Sequence, residues 1–162
     1  MKRILAIVLA VLLLSGCSGG VKIEANESTF LIGLRNECDC EIYKVHHEYY
    51  IGAKPIGGGY ACNADGSAIR SGDVLVKDFI SADFPEGTDL SEFHIEVFVV
   101  DRAGKEYPCG EVLSLDAAYG NVYEIIITGN YEGGFSSAWS ESETKERIWN
   151  WKNTVLTGRK TT

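Results

Sequence analysis

The sequence has no apolar stretch long enough to cross a lipid bilayer as a helix. Its longest apolar run, Ile4–Leu14, has eleven residues, whereas a membrane-spanning helix needs about 20. We therefore expect any attachment to a membrane to depend on something other than a transmembrane helix.

Cations are also scarce in this sequence. Among its 162 residues, 15 are Lys or Arg and 23 are Asp or Glu. Without Lys2 and Arg3, which precede the apolar run, 13 cations remain against 23 acids, a formal charge of −10. Nucleic acids and anionic lipid headgroups are bound through clustered cations. We therefore predict that the protein binds no nucleic acid and does not bind a membrane through electrostatic attraction to anionic lipids.

The sequence lacks the short motifs that mark common active sites. It contains no Gly-x-Ser-x-Gly, no His-Glu-x-x-His and no phosphate-binding glycine-rich loop in front of a helix. Two of its three histidines, His46 and His47, are adjacent on a predicted strand, where neighbouring side chains point to opposite faces. We predict a chain that is not an enzyme and needs no cofactor.

A targeting signal is present at the N-terminus. Lys2 and Arg3 precede the apolar run, which ends in Leu14-Ser15-Gly16-Cys17. A charged region, an apolar region and a small-residue cleavage site are typical of a secretory signal. The tetrapeptide resembles the lipobox of bacterial lipoproteins.

The lipobox resemblance implies a localisation and a membrane anchor. Residues 1–16 would be a lipoprotein signal peptide, Cys17 would carry a thioether-linked diacylglycerol, and residues 17–27 would be a lipid-anchored spacer. Two acyl chains suffice for stable anchoring, with palmitate as a representative chain. We therefore expect a chain held by its N-terminal lipid on the extracytoplasmic face of the cell membrane or envelope.

Four further cysteines lie in the rest of the chain: Cys38, Cys40, Cys62 and Cys109. Outside the cytoplasm an even number of cysteines favours disulfides, and four allow three full pairings. Tracing the predicted strands puts the turns at 36–41 and 62–67 at the same end, so Cys62 is expected near Cys38 or Cys40. Cys109 would pair with the remaining turn cysteine or stay a buried thiol.

From Phe30 onward the apolar residues alternate with a period of two, which is typical of half-buried strands. Gly, Asp and Asn turns separate the segments, and no helical pattern lies between them. The predicted strands are 30–35, 43–51, 56–62, 74–79, 93–100, 105–112 and 122–128. They predict an all-β fold over residues 28–132, an antiparallel immunoglobulin-like β-sandwich of about seven strands. This architecture resembles the small immunoglobulin-like domains common in bacterial surface proteins.

Residues 133–162 are predicted to form a Gly/Ser linker and an amphipathic C-terminal helix at about 141–156. Ser140-x-x-Glu143 fits a capping box, and apolar residues at 148, 151 and 155 share one helical face. Trp139, Trp149 and Trp151 would pack on the sandwich, bind a partner or lie at the bilayer interface.

These features favour a non-enzymatic module that presents loops or a sheet edge to an envelope protein or a small ligand. A first alternative is a metal-binding or redox module built on Cys38, Cys40, Cys62 and a histidine. A second is an inhibitor that offers the loop 81–91 to a protease.

Overall fold

The computed structural model describes residues 24–140, which form two packed β-sheets. The nine strands are β1 (Thr29–Cys38), β2 (Lys44–Ile51), β3 (Lys54–Cys62), β4 (Val74–Ile80), β5 (Phe93–Val100), β6 (Glu106–Pro108), β7 (Leu113–Leu115), β8 (Val122–Asn130) and β9 (Gly134–Trp139). Short 3-10 turns at Ser81–Asp83 and Leu90–Glu92 lie between β4 and β5. The predicted all-β sandwich is confirmed.

The strands are divided between a four-stranded and a five-stranded sheet. The first has the order β4-β1-β8-β9, and the second has the order β3-β2-β5-β6, with β7 also pairing with β5. All pairings between strands are antiparallel except that of β1 with β8, which is parallel and places Leu31 opposite Val122. The predicted antiparallel pattern therefore fails at the centre of the four-stranded sheet.

The core lies between the two sheets and is built by the period-two alternation. Alternate residues of β2 and β5 are buried, whereas the first six residues of β1 are all buried. Phe30 of β1 stacks on Phe79 of β4, with ring centres 4.9 Å apart, and meets Phe93 of β5 edge-on at 5.4 Å. Offset-stacked and edge-on ring pairs add stabilisation beyond the apolar area they bury.

The turn predicted at 36–41 begins later than expected because β1 continues to Cys38. Asn36, a turn-forming residue, is 1% exposed within the strand. Its Nδ2 donates to the Ile69 carbonyl at 2.8 Å, and its Oδ1 accepts from the Cys38 amide at 2.9 Å. A buried amide with its hydrogen bonds satisfied carries little penalty, so the polar residue does not end the strand.

One connection crosses between the sheets, and two segments differ from the sequence prediction. The residues between Cys62 and Val74 connect β3 to β4 in the other sheet. The strand predicted at 105–112 is two short strands, β6 and β7. Residues 134–139, assigned to a linker, form β9, because Gly134 (φ +87°) closes a tight turn and Phe135 is buried.

The glycine-rich strand β3 lies at the edge of its sheet. β3 contains Gly57, Gly58 and Gly59, pairs only with β2, and its register shifts at Tyr49 and Tyr50. Edge strands tolerate the Gly and Pro residues that central strands exclude.

Some predicted features lie outside the described residues. These are the signal peptide with Cys17, most of the spacer, and the helix at 141–156 with Trp149 and Trp151. Within residues 24–140, no helix is long and apolar enough to cross a membrane.

Candidate functional site

An open cavity of about 720 Å³ lies at one end of the sandwich. Three connecting segments line it: residues 41–44 between β1 and β2, residues 62–70 after β3, and residues 101–104 between β5 and β6. The turns predicted at 36–41 and 62–67 therefore do lie at the same end. A volume of this size falls within the range of small-molecule sites.

A buried bridge fixes the first two segments to each other. Ile42 and Ile69 pair as an isolated antiparallel bridge, in which the Ile69 amide donates to the Ile42 carbonyl at 2.8 Å. Both side chains are 0% exposed. The floor of the cavity is therefore tied to the hydrophobic core.

Aspartate side chains cap two of the turns around the cavity. Asp101 Oδ1 accepts from the Ala103 and Lys105 amides at 2.8 and 2.9 Å. Asp65 Oδ1 accepts from the Ser67 amide at 2.9 Å. The Ser67 hydroxyl and amide lower the pKa of Asp65, and the Lys105 and Ala103 amides lower the pKa of Asp101, because hydrogen bonds donated to a carboxylate stabilise its charged form.

The cavity gathers cations in a chain that carries a net charge of −8. Lys44, Arg70 and Arg102 line it, together with the carboxylates of Glu41 and Asp101. The Arg102 guanidinium lies over the Tyr43 ring, 6.0 Å from its centre. A cation within about 6 Å of a ring centre is attracted to the face of the ring.

The sequence analysis did not single out these cavity residues. It located two of the three turns at one end, but it did not place the turn between β5 and β6 beside them. Arg70 follows the turn predicted at 62–67, which is a signal that could have identified it, whereas Arg102 lies in the turn at 101–104 that was not placed at that end.

The predicted disulfide cysteines occupy different environments. Cys62 is exposed and lines the cavity, whereas Cys38 and Cys109 are buried and Cys40 is half-buried. All four are free thiols in the structure. The predicted bridge from Cys62 to Cys38 or Cys40 is therefore not present in it, and the pairing stays a prediction.

Burial makes the core thiols poor nucleophiles. Desolvation raises the pKa of Cys38 to about 12, with smaller contributions from Cys40, Cys109 and Asp39, and it raises the pKa of Cys109 to about 12. Because the thiolate is the reactive and metal-binding form, neither side chain is poised for chemistry.

The alternative metal site is not assembled in the structure. Within residues 24–140, no three His, Cys, Asp or Glu side chains are arranged to hold a metal ion. Cys62 lies on the exposed cavity wall and Cys38 in the core, so the proposed ligands do not converge.

The adjacent histidines point to opposite faces, as predicted. His46 lies on the outer face, stacked between Tyr60 at 4.6 Å and Phe98 at 5.2 Å. His47 is 2% exposed in the core. Neither ring nitrogen of His47 has a hydrogen-bond partner among the described residues.

The comparisons with known proteins give similarity of fold only. No protein-family model and no curated protein match the chain. Among solved structures, a protein from Eubacterium rectale has a TM-score of 0.41 and 12% identity, covering 75% of this chain and 98% of that one. A candidate cell adhesion protein from Bacteroides fragilis NCTC 9343 has a TM-score of 0.39 and 13% identity. The match covers 74% of this chain and 46% of that one. No conclusion about function rests on likenesses this weak.

Proposed function

We propose that the chain is a non-enzymatic binding module, tethered to the outer side of the cell membrane by lipid on Cys17, that takes its ligand in the cavity at the end of the sandwich. The observation that carries the proposal is the position of this cavity at the end of the sandwich opposite Thr29, the first residue of β1. β1 begins at Thr29, close to the N-terminal spacer, and runs to Cys38 beside the cavity segments.

The length of β1 sets the distance between the Thr29 end of the sandwich and the cavity. Its ten residues, at about 3.3 Å each, span roughly 33 Å. A lipid on Cys17 would hold the opposite end of the sandwich towards the bilayer, so the cavity would face outward. This orientation suits a module that binds a ligand from its surroundings.

The lining of the cavity supports binding over catalysis. It contains cations, two carboxylates, a tyrosine and one thiol, but the lining includes no histidine. The Asp101 carboxylate is occupied by the amides of its own turn. A general base must be free to reach a substrate proton, and this carboxylate is not.

The test is to fill the cavity without changing its charge. The chain from Ser18 to Thr162, which retains all nine strands, would be isotope-labelled and titrated with the low-molecular-weight fraction of the native cell envelope. We expect NMR shift changes confined to the three cavity segments, and their loss in Ala103→Trp. Ala53→Trp, in the exposed turn at the other end of β2, is the matched control.

Two results would contradict the proposed function. One is a set of shift changes located elsewhere on the sandwich. The other is unchanged binding by Ala103→Trp.

A further inference from the structure

The distribution of charge in the cavity differs from that of the whole chain. Residues 24–140 contain seven Lys and Arg residues, and three of them line this one cavity: Lys44, Arg70 and Arg102. Clustered cations in an acidic protein repel one another and are costly to assemble. This concentration is the first of three observations that bear on the ligand.

The second observation is that nearby carboxylates are engaged elsewhere. Asp73 Oδ2 accepts from the backbone amide of Arg70 at 2.8 Å, and Glu41 Oε2 accepts from the Tyr43 hydroxyl at 3.0 Å. Asp65 and Asp101 cap their own turns. In the part of the chain that the structure describes, none of the three cavity cations forms an ion pair with a carboxylate.

The third observation concerns the two arginines. Arg102 lies over Tyr43, and the Arg70 side chain has no hydrogen bond or ion pair to any other described residue. Each guanidinium therefore keeps most of its five N–H donors free. A guanidinium is a planar fork of donors that matches the oxygens of a carboxylate or a phosphate.

We infer that the ligand of this cavity carries an anionic group, a carboxylate or a phosphate, bound by Arg70 and Arg102 with Lys44 at the rim. The inference rests on the proposed function, because it names the chemistry of the ligand for the same cavity. The volume of about 720 Å³ exceeds what a bare inorganic anion fills, so the anionic group belongs to a larger organic molecule.

The inference can be tested with three sugars that have a similar six-membered ring and differ in charge. The chain from Ser18 to Thr162 would be titrated calorimetrically with glucose 6-phosphate, glucuronate and glucose at low ionic strength. We expect saturable binding of at least one charged sugar and none of glucose. The relative affinities of the two charged sugars distinguish phosphate from carboxylate recognition.

Matched variants locate the site. Arg70→Gln combined with Arg102→Gln should weaken binding by about tenfold or more, since hydrogen bonds to charged groups are among the stronger ones. Lys54→Gln, an exposed cation at the other end of β2, should bind as the parent does. Added salt should weaken binding, because exposed charges are screened.

The outcomes show whether the anion assignment fails alone or the proposed binding function fails with it. Glucose bound as tightly as the charged sugars, or full binding by the double arginine variant, overturns the anion assignment. If no sugar binds while Ala103→Trp still abolishes the envelope-derived shift changes, the anion assignment fails and the proposed function stands. If Ala103→Trp changes nothing, the proposed function itself fails.

Discussion

His47 illustrates at the scale of one residue how a buried polar side chain can make stability depend on pH. Burial lowers the pKa of His47 from 6.5 to about 4, and the charges of Lys77 and His46 act in the same direction. Neither ring nitrogen is hydrogen-bonded to a described residue, so nothing nearby compensates for protonation. A neutral imidazole in the core is compatible with the fold, and a charged one is not.

The sign of the resulting pH dependence follows from the two pKa values. Between pH 6.5 and 4 the unfolded chain binds a proton at this position and the folded chain does not, so stability falls as the pH falls. A difference of about 2.5 units corresponds to roughly 3 kcal/mol. We expect urea unfolding at pH 7 and pH 4 to show this loss in the parent and a clearly smaller one in His47→Leu.

A second histidine variant controls for general acid effects. His94→Gln changes a half-buried surface histidine whose Nδ1 contacts the Ser114 hydroxyl at 2.9 Å. It should retain the pH dependence of the parent. If His47→Leu lost as much stability between pH 7 and pH 4 as the parent does, groups other than His47 would be responsible for the pH dependence.

The residue scale also shows what the sequence alone could not provide. Period-two alternation predicted that His46 and His47 point to opposite faces, and they do. It carried no information about hydrogen-bond partners, so the unpartnered state of His47 was missed. Asn36 was assigned to a turn because its fixed partner, the Ile69 carbonyl, is 33 residues away in sequence.

At the scale of the element, β3 contains three successive glycines that differ in how much space surrounds them. A Cβ added at Gly58 would lie 2.7 Å from the His47 carbonyl oxygen, and one at Gly57 would lie 2.7 Å from the Tyr49 hydroxyl. A Cβ at Gly59 would lie 3.7 Å from the His47 ring, an ordinary contact. The backbone of β2 therefore approaches β3 too closely for a side chain at Gly58.

Two alanine variants of β3 test this difference. We expect Gly58→Ala to lower the free energy of unfolding by about 1–3 kcal/mol, since overpacking against a backbone atom forces a shift of the strand. Gly59→Ala should stay within about 0.5 kcal/mol of the parent. Denaturant unfolding of both variants measures the contrast, and equal stabilities would show that β3 relaxes freely at the sheet edge.

Sequence patterns predicted some of the strands and missed others. Apolar alternation located β1, β2 and β5, and in β2 and β5 it coincides with one buried face. The turns that precede them located β4 and β8. The patterns missed β9, in which Ser136, Ser137 and Ala138 separate Phe135 from Trp139 and only Phe135 is buried. The cavity was not predicted because it depends on how three loops meet, and alternation says nothing about pairing between distant strands.

Trp139 belongs to the sandwich, although the sequence pattern placed it in the segment that follows. It lies in β9, its ring packs against Tyr123, and its Nε1 donates to the Ser114 carbonyl at 2.8 Å. Of the three alternatives given for the tryptophans, packing on the sandwich is the one that Trp139 follows. A truncation intended to preserve the sandwich must keep β9 intact.

At the scale of the whole molecule, the proposed orientation depends on the lipid. Cys17→Ala removes the thiol that would form the thioether, so we expect the variant to incorporate no labelled palmitate and to accumulate as an unprocessed or misrouted precursor. Cys62→Ala, which removes an exposed cysteine of the folded domain, should label as the parent does. Metabolic labelling followed by membrane fractionation measures both, and undiminished labelling of Cys17→Ala would disprove the lipobox assignment.

The parallel pairing of β1 with β8 constrains the order in which the chain can fold. Leu31 finds its neighbour Val122 only after about 90 intervening residues are available, and contacts between such distant positions make folding slow. A chain that leaves the cytoplasm N-terminus first would expose β1 long before β8 emerges. β1 could pair with β4 soon after β4 emerges, but its other neighbour, β8, follows much later. The four-stranded sheet would therefore be completed only after most of the chain has crossed.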